Sequence, residues 1–487
     1  MNIDKKQFWL AFAAGLALYA VSFAAWANPV LNYIIFASAI VGIAYILWRD
    51  FSWSIPLLIF DSILGSQGRL LSIEIYNFSF SLRYLLFALV IIFAIPYLIK
   101  HWKKFTLRQD PNSKFQILNS INFFWTLGLL FIVWGIFRAV IAGASFQNIF
   151  FDSNAYGFWL LWPIFYLFYA NNNKAKTNGF IFTIAIAAIF AQTVATYLLF
   201  ITQIAPAIQP LFYVWARDVR LAEMTKIGEY GVRIFWQSHL WAVMSLGLAG
   251  ILLWLKKINY YYLASLFLGL VMFSAILSFS RSFLLSLLVA LIITLILSHI
   301  IYLTKFHWRQ LAQTTLIAFF ICVLLLMGTM YIARQHIFSF DDLGQGRLEN
   351  ISSDEASASR LAEFKPLWSQ IIAAPILGSG FGQKLTYQSF DPRQNKKPYT
   401  TFSFEWGYLD MWMKMGLGFL IALGGFIIAT YRKFYQMYMW GDLPDFGFLM
   451  LSFALTFLLI THLTTPYLNH PIGLVLLFWI ANYKPKS

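Results

Sequence analysis

The sequence predicts an all-α polytopic membrane protein with about fourteen transmembrane helices (twelve to fourteen) and one long extracytoplasmic loop that contains helices of its own. Three observations lead there. Hydrophobic residues make up 60% of the chain and charged residues 11%, with a mean hydropathy of +0.68, whereas a soluble globule carries about a quarter charged residues. Apolar runs long enough to cross hydrocarbon recur along the whole chain. Lys and Arg concentrate in alternate connections between those runs.

A bilayer core of roughly 30 Å takes about twenty apolar residues per helix. The runs fall at 8–27, 29–48, 51–66, 80–99, 120–142, 155–170, 179–203, 235–255, 259–279, 282–304, 311–333, 405–431, 445–463 and 470–484. The first follows Lys5 and Lys6 and ends in SFAAWA, the outline of a cleavable signal peptide. Because the next run begins within WANPV, it is read as a retained helix. The third, sixth and last runs are short and are read as tilted or re-entrant. An even total places both termini on one side.

The connections test that count independently. With Lys5 and Lys6 in the cytoplasm, that side also carries Arg49, KHWKKFTLRQDPNSK, NNNKAK, Lys256 with Lys257, KFHWR, YRKF and KPK, every one basic. The opposite short connections, WANPV and HLTTPYLNH, hold no Lys or Arg. Cytoplasmic loops retain basic residues, while long translocated segments escape the rule. Segments 204–234 and 334–404 are therefore expected outside the cytoplasm. The net charge of +15 and pI of about 9.6 then reflect membrane orientation rather than nucleic-acid binding. One integrated membrane domain is expected, organised as 1–203 (an N-terminal bundle), 204–333 (helices with arginine-bearing outer segments), 334–404 (the long outer loop) and 405–487 (C-terminal helices). Cys322, the single cysteine, has no partner for a disulfide or a cysteine-based metal site. No cofactor or metal is expected.

Function concentrates between Arg334 and Gly418. Three basic residues face the outer leaflet: Arg233 in GVRIFWQSHL, Arg281 in SFSRSFLL and Arg360 in SASRLAEFKPLWSQ. An arginine fork grips phosphate oxygens in pairs, as lysine cannot, so such a cluster at a membrane surface suits a lipid-linked pyrophosphate. The competing reading is that each arginine snorkels from a helix end to the headgroups. Glu405 is expected to open a long apolar helix at its outer end, complementing the helix dipole. The surrounding Phe402, Phe404, Trp406 and Tyr408 are expected to desolvate its carboxylate and raise its proton affinity, as suits a general base. Asp410 and Lys414, four residues apart further along, read as a neutralised intramembrane pair. GSGFG lacks the strand and βαβ unit of a nucleotide site. After the helix SRLAEFKPLWSQIIAA it reads as an unwound turn whose freed N–H groups are available to an anion.

The succession SFSRSFLL, SRLAEFKPLW, PILGSGFG and EWGYLDMWMKMGLGFL, across residues 230–430, resembles the O-antigen ligase and O-antigen polymerase superfamily of bacterial envelope glycosyltransferases. The resemblance implies that Arg281 and Arg360 bind the pyrophosphate of an undecaprenyl-linked glycan, with Arg233 similar to a further arginine of the family. Ligases of this family carry His-Asn just before the pattern matched by Tyr408, Leu409 and Gly416. Here Glu405 and Trp406 stand in those places.

The reaction that the resemblance implies is an inverting transfer at the outer face of the bacterial inner membrane, with both termini cytoplasmic. An acceptor hydroxyl attacks the anomeric carbon and undecaprenyl pyrophosphate leaves. Glu405, Arg281 and Arg360 are the expected catalytic residues, and Arg233, His239, Tyr408 and His470 the expected substrate-binding ones. His239, His336, His462 and His470 are alternative bases, and TTPYLNHPIG is a further contributor to the site. Without the ligase histidine the reading favours a repeat-unit polymerase over a ligase acting on lipid A core or a protein. Expected partners are the lipid-linked donor, a glycan or lipid acceptor, membrane lipids and other polysaccharide-assembly proteins. A lipid-glycan flippase would line a central cavity with charge toward both faces. An oligosaccharyltransferase of the dolichol type would place paired acids in its first outer loop, yet WANPV has none and Asp341–Asp342 is not read as a metal site. A non-catalytic scaffold is the remaining alternative.

Overall fold

The computed structural model describes residues 4–75, 78–106, 116–171, 174–203, 208–227, 231–255, 261–300, 308–333, 355–390 and 397–483. His336, Asp341, Asp342 and the rest of 334–354 lie outside them. The helices are α1 (Lys5–Ala27), α2 (Pro29–Arg49), α3 (Ser54–Leu64), α4 (Leu82–Thr106), α5 (Gln116–Ile141), α6 (Phe146–Ser153), α7 (Trp162–Asn171), α8 (Lys174–Gln203), α9 (Gln209–Asp218), α10 (His239–Trp254), α11 (Tyr261–Ser278), α12 (Arg281–Ile300), α13 (Trp308–Ala333), α14 (Glu355–Ala373), α15 (Gly407–Met415), α16 (Leu417–Met439), α17 (Asp445–Thr464) and α18 (Pro471–Asn482). Nine of the described helices are long and apolar enough to cross a membrane, and four more stretches, Phe51–Leu64, His239–Trp254, Tyr262–Ser278 and Pro471–Asn482, are apolar but shorter.

Side-chain chemistry explains how these helices sort. Between the ends of α12 the exposed positions are large and aliphatic, among them Leu284, Leu288, Ile292 and Ile296. The buried stripe holds Ser286, Ala290, Thr294 and Ser298. That is the reverse of a soluble amphipathic helix. Small residues let helices approach closely where lipid is the solvent, and the three hydroxyls satisfy themselves on their own helix, Ser286 donating to the Ser282 carbonyl at 2.6 Å. In contrast, α18 is buried along its whole length. Asn28 alone separates α1 from α2. Its side chain accepts the N–H groups of Val30 and Leu31 at 3.1 and 3.2 Å, and Pro29 at the first helical position needs no acceptor.

Three two-stranded antiparallel hairpins interrupt the helices: β1 (Ser72–Ile75) with β2 (Phe78–Ser81), β3 (Glu223–Ile227) with β4 (Gly231–Phe235), and β5 (Leu385–Gln388) with β6 (Pro398–Thr401). None was expected. All lie in connections where the apolar helix period lapses.

A further correction concerns the helix expected over 405–431. It is two helices, and Glu405 precedes the first of them. The break is at Gly416, whose backbone sits at φ 79°, ψ 177°. This region is open to glycine almost alone. A methyl there would meet the Ile376 carbonyl oxygen at 2.0 Å. Gly416→Ala should therefore cost at least about 2 kcal/mol, read as a lowered unfolding midpoint in detergent. Gly424→Ala on α16 is the control, since nothing lies within 4 Å of the added methyl. Equal midpoints for the two variants would remove this account of the break.

Candidate active site

The site is built on α14, which presents Arg360 and Glu363 one turn apart. The extended stretch before α15 docks onto that turn. The Glu405 N–H donates to Glu363 Oε1 at 2.8 Å, the Trp406 indole donates to the Arg360 carbonyl at 3.0 Å, and Arg360 Nε is ion-paired with Glu405 Oε2. Beneath them Leu367 and Ile371 of α14 pack with Phe404 and Met413. Apolar contact thus holds two segments together while their polar edges meet at the surface.

The aromatic shell expected around Glu405 does not form. Phe404 is buried in that small core, Trp406 turns to α14, and Tyr408 donates to the Leu459 carbonyl at 3.1 Å with its ring 4.5 Å from His462. The Glu405 side chain keeps 55% of its exposure and that of Arg360 34%. The desolvated carboxyl is Glu363 instead. Burial pushes it up to about 8, against the opposing effect of the N–H it accepts from Glu405. Sequence reasoning passed over Glu363 although it lies inside the SRLAEFKPLW motif.

The stretch after α14 is the unwound turn anticipated, but its N–H groups are not free for an anion. Gly378 donates to Ala374, Ser379 to Met413, Gly380 to Lys414 and Phe381 to Gly135, all backbone carbonyls, at 3.0, 2.7, 3.0 and 3.2 Å. Gly382 donates to Asp152 Oδ2 at 2.7 Å. The turn is a clasp around the end of α15, seated on α5 through Trp134, whose indole donates to the Leu377 carbonyl at 2.8 Å. Gly380, at φ 92°, fits because a methyl would lie 2.5 Å from the Ala139 nitrogen.

Under the clasp, Lys414 contacts Asp410 Oδ1 at 2.6 Å, the expected pair, and also Asp152 Oδ1 on α6 at 2.5 Å. Asn469 donates to Asp410 Oδ2 at 2.5 Å. All three charged side chains are nearly inaccessible, at 3% or less. Asp152 had no signal in the sequence, because 262 positions separate it from Lys414.

The other arginines lie at the turn from α11 to α12. Arg233 Nε donates to the Ser278 carbonyl at 3.0 Å, and its guanidinium sits 4.8 Å from the Phe235 ring centre. Phe279, between Ser278 and the exposed Arg281, has φ 45°. Ser282, next to Arg281, accepts from the Thr465 hydroxyl at 3.3 Å. Thr465 ends α17, where the His462 carbonyl and ring press on Gly407, two residues from Glu405. Contacts therefore run from the start of α12 to Gly407, two residues after Glu405, around one helix end.

None of the candidate histidines among the described residues is exposed. His239 is fully buried, taking the Trp236 N–H at 3.3 Å, with Ser274 Oγ 3.0 Å from its other nitrogen. His462 is equally buried and takes the Leu468 N–H at 3.2 Å. His470 caps α18 through the Ile472 N–H at 3.3 Å.

No curated protein and no solved structure matches the chain. A family model described as O-Antigen ligase matches residues 264–424, from within α11 to within α16. The matched stretch holds Arg281, Arg360, Glu363 and Glu405 together. Over that stretch, about a third of the chain, this many-helixed protein is similar to the O-antigen ligase family.

Proposed function

We propose that the protein is a repeat-unit polymerase: a metal-independent glycosyltransferase at the outer face of the bacterial inner membrane, both termini cytoplasmic, that takes glycan from an undecaprenyl-pyrophosphate donor and joins it with inversion to a sugar hydroxyl of a second lipid-linked glycan. The observation that carries this reading is the pairing of Arg360 with Glu405, which joins two motifs 45 positions apart. An ion pair this exposed is worth about 1 kcal/mol or less. An arriving diphosphate therefore competes well for the guanidinium and leaves the carboxylate free. The acceptor oxygen then bonds to the anomeric carbon as the bond from that carbon to the diphosphate oxygen breaks. The electron pair departs with the diphosphate, where Arg360, Arg281 and Arg233 offset its charge. The hydroxyl proton passes to Glu405. Glu363 fixes the Glu405 backbone, while Tyr408, His239 and His470 support the site from within the bundle.

Transfer to lipid A core or to a protein is the second reading, favoured by the description of the matching family model. The glycan profile of a deletion strain decides between them. Single repeat units on the lipid core are the expected result. Lipid core without any glycan, while long polymer accumulates on its lipid carrier, would replace the polymerase by a ligase.

A further inference from the structure

Beside the arginine turn lies a cavity of about 480 Å³, within the size range of small-molecule sites. Its walls come from the end of α9, strands β3 and β4 and the turn after α3, and they include Ser66, Tyr213, Arg217, Arg220, Glu223 and Gln237. Arg217 and Arg220 are exposed, and among the described residues no carboxylate is ion-paired with either. Asp218, between them in sequence, accepts from the Trp26 indole at 3.0 Å. Arg69 is close enough to Arg220 for the two like charges to oppose each other. Concentrated positive charge of this kind calls for an anion.

The backbone gives a second, independent indication. Three described non-glycine residues have left-handed φ: Ser66 at 45°, Arg220 at 49° and Phe279 at 45°. The first two line this cavity. Arg220 follows α9 at the left-handed closing position, with Leu221 N–H reaching back to the Ala216 carbonyl at 2.8 Å. Glycine fills that position with least strain. Here the chain keeps a large cation instead, and strain of this type collects at binding sites. Ser66 is held in its conformation by Arg83, which donates to its carbonyl at 2.8 Å, and by the Gln237 N–H, which donates to its hydroxyl at 3.1 Å.

We infer that this cavity binds the diphosphate of the acceptor lipid. Arg217 and Arg220 grip the phosphoryl oxygens, and Tyr213 and Gln237 supply neutral hydrogen-bonding groups. The inference rests on the polymerase reading, in which both substrates are lipid-linked. Phe235 lines the cavity and carries Arg233, two positions before it on the same face of β4, on its ring, so the Phe235 ring separates the acceptor diphosphate from Arg233.

The test is inorganic pyrophosphate titrated into the full-length protein in phosphatidylcholine nanodiscs. Wild type should bind two equivalents, and R217Q/R220Q and R281Q/R360Q should each bind one. In polymerisation assays R217Q/R220Q should raise KM for the acceptor tenfold or more with little change in kcat. R220G should melt higher than wild type, because strain is relieved, and still bind only one equivalent tightly. Two equivalents bound by R217Q/R220Q, or a lowered melting point with unchanged binding in R220G, would overturn the inference. Two equivalents bound by R281Q/R360Q would instead remove the donor site and leave this cavity standing. One equivalent in wild type, lost in both double variants, would make the two clusters a single site and refute separate acceptor binding.

Discussion

Lys414→Met should destabilise the protein by about 3–5 kcal/mol, the loss expected when one member of a buried charge network is removed. Methionine fills the space, so packing is largely kept. The loss arises because Asp152 and Asp410 are left facing each other without a cation, both nearly inaccessible. Asp152→Asn should cost less, since it preserves the Lys414–Asp410 contact and an oxygen for the Gly382 N–H. The double variant should recover part of the Met loss, because the deleted groups are direct neighbours and their effects do not add. Unfolding midpoints in detergent report all three. A Lys414→Met protein within about 1 kcal/mol of wild type would show that the network is not what holds the clasp to α15.

Glu405→Gln should lower turnover by roughly 10²- to 10⁴-fold, the usual worth of a positioned base, while donor binding and folding persist. Glu405→His, which places the ligase residue there, should retain partial activity. Glu363→Gln is the discriminating companion. At neutral pH the raised Glu363 carboxyl is mainly protonated, so Gln reproduces its charge and its acceptor oxygen, and turnover should change only a few-fold. The pH dependence has a definite sign. A carboxyl whose proton affinity is raised on folding stabilises most below its unfolded pKa, and that contribution is lost as pH climbs from 4.5 toward about 8. The Gln variant should lack this decline in its unfolding midpoint. Normal polymer output from Glu405→Gln, or a collapse of output in Glu363→Gln with normal folding, would transfer the base role from Glu405 to Glu363.

Local patterns in the chain were legible to the extent that their partners were local. Apolar runs located the long helices, a spacing of four paired Asp410 with Lys414, and the proline and glycines after α14 announced a turn. Most of the misreadings share one cause, distant partners. Asp152 reaches Lys414 only once α6 and α15 are packed. The aromatic residues around Glu405 were expected to shield it, but Phe404, Trp406 and Tyr408 found partners elsewhere, in Leu367, the Arg360 carbonyl and His462. The break at Gly416 was invisible inside GLG because what forbids a side chain there is the Ile376 carbonyl, folded back from forty residues earlier. The hairpins escaped because their short alternating strands sit between much stronger helical signals.

The clasp has a consequence for the order of synthesis. It is closed by Gly135 of α5, Asp152 of α6, Met413 and Lys414 of α15 and, through Asp410, by Asn469 ahead of the last helix. A ribosome must therefore deliver nearly the whole chain to the membrane before these groups can meet. Until then the segments that bear Arg360 and Glu405 have only each other to hold to, through the small core of Leu367, Ile371, Phe404 and Met413. A nascent or truncated chain ending before α17 holds its early helices in the bilayer while Asp410 still lacks the Asn469 amide. The buried network thereby becomes a mark of completed insertion.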